Sequence, residues 1–128
     1  MNTTNSCKNI KTGDIMETFD YCKTAAKAME DKKAINIKLI DISEISIMAD
    51  YFLICNGNNS NQVKAICDNI TEKLHELKYS PKQIEGYATA NWILMDYGEI
   101  VIHIFDKESR EFYDIERIWS DGKKITSF

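Results

Sequence analysis

The chain has 128 residues, 44% hydrophobic and 28% charged, with five Gly and a single Pro. That length fits one domain able to bury a core without metal or disulfide staples, and the composition excludes collagen-like, low-complexity and disordered classes. Sixteen Lys and Arg against twenty Asp and Glu give a net charge of −4, no apolar run approaches the roughly 18 residues of a membrane helix, and no secretory signal opens the chain. A cytoplasmic domain without a membrane partner is expected.

Residues 1–13 are polar and aperiodic and read as a flexible tail. Asp14 and Glu17 stand at capping-box spacing, and Ile15, Phe19, Cys22, Ala26 and Met29 recur at helical steps, which predicts an amphipathic helix to about Lys32. Ile35, Ile37 and Leu39 alternate with polar residues as a half-exposed strand, and Asp41 to Met48 is a connector. Tyr51 to Cys55 is apolar without alternation, as in a strand covered on both faces. After Asn56-Gly57-Asn58-Asn59, Asn59 and Gln62 offer a cap for a second helix with the stripe Val63, Ile66, Cys67, Ile70, Leu74 and Leu77. Ser80-Pro81 breaks the chain, Ile84 to Tyr87 predicts a short strand, and Trp92–Asp96 and Ile100–Phe105 predict two more around an Asp96-Tyr97-Gly98 turn. A short helix follows Asp106, and Ile115, Ile118 and Trp119 supply a last apolar face. The reading is a single α/β domain over residues 14–119, a mixed β-sheet flanked by helices, with 120–128 as a C-terminal tail.

From Glu85 to Asp121 nine acidic residues meet only Lys107, Arg110 and Arg117, a local net charge of −6. Such a surface repels phosphate backbones and is steered toward a basic partner, so direct sequence-specific nucleic-acid binding is not expected. The plainer reading of the acidic residues is solvation. Cys7, Cys22, Cys55 and Cys67 form no CxxC and have no His at ligand spacing, so neither a metal nor a redox centre is expected, and three of them fall on apolar faces as small buried hydrophobes.

Three constellations could carry chemistry. The loop at Cys55 to Val63 precedes a helix N-terminus and could hold a phosphate on its amides, but it lacks the Lys-Ser/Thr of a P-loop and the three glycines of a dinucleotide loop. Asp41, Glu44 and Asp50 lie before that loop at spacings unsuited to the metal pair of a nucleotidyltransferase, so a structural turn and cap is preferred and no cofactor is expected. His103 shares a strand face with Val101 and Phe105, opposite Ile100, Ile102 and Ile104, and reads as a hydrogen-bonded structural or interface histidine. Trp92, Tyr97, Phe112, Tyr113 and Trp119 crowd the last third beside Arg110 and Arg117, the residue types of binding hot spots; for Phe112 and Trp119 core packing is expected.

Two stretches carry a resemblance. Trp92-Ile93-Leu94-Met95-Asp96-Tyr97-Gly98 through His103-Ile104-Phe105 to Arg110-Glu111-Phe112-Tyr113-Asp114, preceded by Glu85-Gly86, resembles the long motif of the ribosomal silencing factor (Iojap) family. Ala49 to Asn58 with Gln62-Val63 resembles its other signature, with Asn56 and Asn59 standing where the family usually shows Ser. The resemblance implies a nucleotidyltransferase-like fold without the catalytic carboxylates. It also implies a non-enzymatic role: binding ribosomal protein fourteen of the large subunit at the intersubunit face, keeping the small subunit off and repressing translation, with a part in large-subunit assembly in some members and homodimers in others. The partner-binding residues expected on this reading are Trp92, Leu94, Asp96, Tyr97, Gly98, His103, Arg110 and Tyr113. The competing reading is a nucleotide-binding enzyme that uses the Asn56 to Ser60 loop.

Overall fold

The computed structural model describes residues 17–125. Helix α1 spans Thr18–Asp31. The first turn expected at Asp14 and Ile15 lies outside the described residues; within them Glu17 is extended and acts as the N-cap, its N–H donating to the Asp20 carboxylate at 3.1 Å. Cys22, Ala26 and Met29 are buried as their spacing predicts. Lys33, left-handed at φ +62°, turns the chain into strand β1 (Ile35–Asp41), which pairs antiparallel with β2 (Tyr51–Gly57). Helix α2 (Ser60–Glu76) buries Val63, Ile66, Cys67, Ile70 and Leu74, and Asn59 caps it by accepting the Gln62 backbone N–H at 2.9 Å. Then come β3 (Gln83–Glu85), β4 (Trp92–Asp96), β5 (Ile100–Asp106), helices α3 (Lys107–Tyr113) and α4 (Ile115–Ile118), and β6 (Lys123–Ile125).

The six strands form one mixed sheet in the order β3-β4-β5-β2-β1-β6. β2 and β5 run parallel at its centre, Tyr51 opposite Ile100 through Gly57 opposite Asp106, and the other neighbours are antiparallel. This explains the unalternating Tyr51 to Cys55 run: a central strand has an apolar layer on each side. β6 lies in the stretch read as a tail; three residues, two of them Lys, offer no periodicity to read.

Each sheet face has its own core. Helices α1 and α2 cover one face, over Leu39, Leu53, Cys55, Ile93, Met95, Ile100, Ile102 and Ile104. On the other, Ile40, Ile42, Phe52, Ile54 and Phe105 pack with Ile115, Trp119 and Trp92. Each fully buried Ile or Leu contributes about 1.5–3 kcal/mol, so the larger helical layer holds most of the stability. The second layer is incomplete, because α3 packs on β5 and β2 and leaves the outward side of β4 half-open.

Gly86 is pinned between β3 and β4. Its φ is +81°, and a Cβ there would stand 2.2 Å from the Trp92 carbonyl oxygen. Gly86→Ala should therefore cost about 3 kcal/mol, combining a left-handed backbone with a clash against main chain. Gly98→Ala, at φ +90° but facing only the flexible end of Lys82, should cost about 1 kcal/mol. Equilibrium denaturation of the two variants checks the order of the two costs.

Candidate partner-binding face

Strand β4 builds the site. Strict alternation sends Ile93 and Met95 into the helical core and Trp92, Leu94 and Asp96 to the opposite face, where all three are half-buried. Across the strand pair Trp92 faces Phe105, Leu94 faces His103 and Asp96 faces Val101. The Trp92 ring forms a three-ring cluster with Phe105, at 5.0 Å, and Tyr113 of α3, at 4.6 Å, which are themselves 6.2 Å apart, measured between ring centroids. Its indole N–H donates to His103 Nδ1 at 3.1 Å. Tyr113 is 45% exposed and Phe112 beside it 80% exposed. The result is an aromatic and aliphatic patch; Glu85 pairs with Leu94 across β3 and β4, Asp96 ends β4, and Glu108 and Glu111 belong to α3 with Tyr113.

Only part of the expected residue set lies on this face. Trp92, Leu94, Asp96 and Tyr113 do. Tyr97 does not: it is 4% exposed and stacks on Tyr79, which stacks in turn on Tyr21. Burial raises the Tyr97 phenol pKa. The β4 alternation carried this signal, since Tyr97 shares the phase of Ile93 and Met95. His103 is 3% exposed, beneath Trp92, and edge-on to Phe52 at 4.7 Å. Desolvation pushes its pKa from 6.5 down to about 4, so the ring is neutral at physiological pH. With Nδ1 accepting, the proton sits on Nε2, which is buried without a hydrogen-bond partner.

Arg110 is also withdrawn from the surface, its side chain 10% exposed. Nε and Nη2 donate to Glu116 Oε1 at 3.1 and 2.9 Å, and Nη1 donates to Asn56 Oδ1 at 3.1 Å. The guanidinium thus ties α3, α4 and the end of β2 together across the left-handed Asp114, at φ +44°, and its fork suits that task as a Lys would not. Gly98 shapes the turn after β4, donating its N–H to Asp96 Oδ1 at 2.8 Å.

Phe112 is a correction in the other direction. Expected in the core, it projects into solvent because α3 is a seven-residue helix with no buried residue. The composition of so short a helix gives no periodicity from which to assign its faces.

The Asn56 to Ser60 loop is filled from within. Gln62 Oε1 accepts the Asn58 N–H at 2.7 Å, and Gln62 Nε2 donates to the carbonyls of Lys32 and Lys33, both at 3.0 Å. The side chain lies 3.2 Å from where a Cβ on Gly57 would stand. A loop amide that would hold a phosphate is engaged by the protein itself. Cys22, Cys55 and Cys67 are free and buried, their thiols pushed up to about 12, 12 and 11 chiefly by desolvation, so they are inert packing groups; Cys7 lies outside the described residues. Among the described residues no helix is long and apolar enough to cross a membrane.

Comparison with known proteins agrees with the motif. The model of the family described as "Ribosomal silencing factor during starvation" matches residues 16–127. The "Ribosomal silencing factor RsfS" of Bacillus subtilis is 43% identical over 107 residues, covering 84% of this chain and 91% of its own length. A crystal structure of a Chromobacterium violaceum protein superposes with a TM-score of 0.81 at 31% identity, covering 88% of this chain and 92% of that one. A Bacillus halodurans structure gives 0.77 at 34% identity, covering 86% and 100%. Sequence, motif and fold agree over almost the whole of both partners in these pairings, and the chain belongs to the ribosomal silencing factor family.

Proposed function

We propose that this protein silences ribosomes by binding the large subunit through ribosomal protein fourteen at the intersubunit face, where its bulk keeps the small subunit from joining. The observation that carries the reading is the half-open face of β4, on which Trp92 and Leu94 lie beside exposed Tyr113 and Phe112 within the acidic last third of the chain. Aromatic anchors supply binding energy, and carboxylates around them select a basic protein surface over RNA. Blocking needs no turnover, so the protein acts as a binding factor and not as an enzyme. The filled Asn56 to Ser60 loop supports that choice over nucleotide handling.

The test is co-sedimentation with purified subunits, followed by light scattering of subunit joining. The protein should travel with large subunits alone, purified ribosomal RNA should not compete, and added protein should lower the extent of joining. Equal binding to both subunits, or displacement by bare RNA, would overturn the proposal. A melting temperature that climbs with the concentration of nucleoside triphosphate and magnesium would favour the nucleotide-binding reading.

A further inference from the structure

His103 is the odd residue in its strand. Ile100, Ile102, Ile104 and Phe105 around it are buried and apolar, and its own ring is 3% exposed between Phe52 and Phe105. On stability alone an imidazole is a poor choice there, since Nε2 carries a buried hydrogen with no acceptor. An apolar side chain would fill the space without an orphan donor. What the imidazole adds is an acceptor at Nδ1, and the Trp92 indole N–H occupies it at 3.1 Å. The bond joins a half-buried residue to a buried one. Its consequence is to choose one orientation of the ring against Phe105 and Tyr113.

We propose that His103 is a positioning residue for partner binding: it touches no partner, and it locks the Trp92 indole in the orientation that docks. The inference rests on the reading of Trp92 as an anchor and names the device that holds the anchor ready. A large side chain fixed before contact does not have to be ordered during it, which strengthens binding without adding a contact.

The chain has two Trp, and Trp119 packs edge-on against Phe52 away from β4, so a Trp119→Phe background leaves a single indole to follow. In it, His103→Leu, His103→Asn and His103→Gln are compared by the NMR signal and solvent exchange of the indole N–H, and by co-sedimentation titration with large subunits. Asn can place an oxygen near the position of Nδ1, whereas Gln reaches toward that of Nε2. His103→Leu should melt no lower than its parent, its indole N–H should shift and exchange faster, and binding should weaken about five- to tenfold. His103→Asn should recover most of both signals and His103→Gln little of either.

A folded His103→Leu protein with unchanged indole signal or unchanged binding would overturn the proposal. So would Asn and Gln variants that behave alike. If the Leu variant does not fold, the Asn and Gln pair decides by itself. Should the parent protein fail to bind large subunits, the anchor reading fails, while the indole signal still reports whether His103 holds the ring.

Discussion

Trp92→Ala is expected to loosen the protein from large ribosomal subunits by about thirtyfold, the equivalent of roughly 2 kcal/mol for a hot-spot anchor. The variant will also melt earlier. A fully buried Trp→Ala change costs about 3–5 kcal/mol; Trp92 is only half-buried, yet it packs on Phe105, Tyr113 and His103, so a loss of about 2 kcal/mol of fold stability is expected. The two effects separate in one preparation: a thermal melt fixes the temperature at which the variant is still folded, and co-sedimentation is run below it. Phe112→Ala sharpens the comparison. At 80% exposure that side chain supports little of the fold, so the melt should stay within about 0.5 kcal/mol of the parent. Binding should nevertheless fall if α3 belongs to the interface. Folded Trp92→Ala protein that binds at full strength would move the docking face elsewhere.

Acid should destabilise the protein well above the usual carboxylate range, and His103 should be the main cause. The fold holds its pKa near 4, against 6.5 ordinarily, because burial disfavours the imidazolium. As pH drops below 6.5 the unfolded chain takes up a proton that the folded chain refuses until about pH 4. The stabilisation is therefore complete above pH 6.5 and drains away between there and pH 4, by about 1.4 kcal/mol per pH unit and roughly 3 kcal/mol in all. Asp41, whose carboxyl is held low chiefly by the Ser43 hydroxyl and N–H, acts in the same direction only at lower pH. Stability measured by urea titration from pH 7.5 to 4 should fall steeply for the parent protein and more gently for His103→Leu. Parallel curves would show that His103 does not take up the proton on unfolding.

Much of this architecture is visible in the sequence, and the misses share a cause. The Val63-Ile66-Cys67-Ile70-Leu74 stripe gives α2 and its buried face directly, because seventeen residues sample several helical turns. Alternation in β4 and β5 separates the two sheet faces, including the side on which His103 lies. The failures occur where a segment is too short to show a period or where a partner distant in sequence decides the outcome. α3 could not reveal that Phe112 points outward. β6 could not reveal that Leu39 would pair with Ile125. Arg110 looks like a surface hot spot until Asn56, 54 residues earlier, is seen to accept from it. Tyr97 is a different case: its phase with Ile93 and Met95 marks it as inward-facing, and what the sequence hides is only the cover, Tyr79 stacked on it and Tyr21 stacked on Tyr79.

The parallel pairing of β2 with β5 governs how the molecule can be made. Tyr51 must find Ile100, and the last strand must return to lie beside β1, with Ile125 opposite Leu39. Loop-closure entropy grows only with the logarithm of length, so these distant pairings slow folding more than they weaken the product. During synthesis α1, β1, β2 and α2 emerge first and can assemble one layer, but the sheet cannot close through its middle until Asp106 has left the exit tunnel. Phe105 and Tyr113, which brace Trp92, arrive with or after that step. The face that Trp92 shares with Phe105 and Tyr113 is therefore completed only when the sheet closes through its middle.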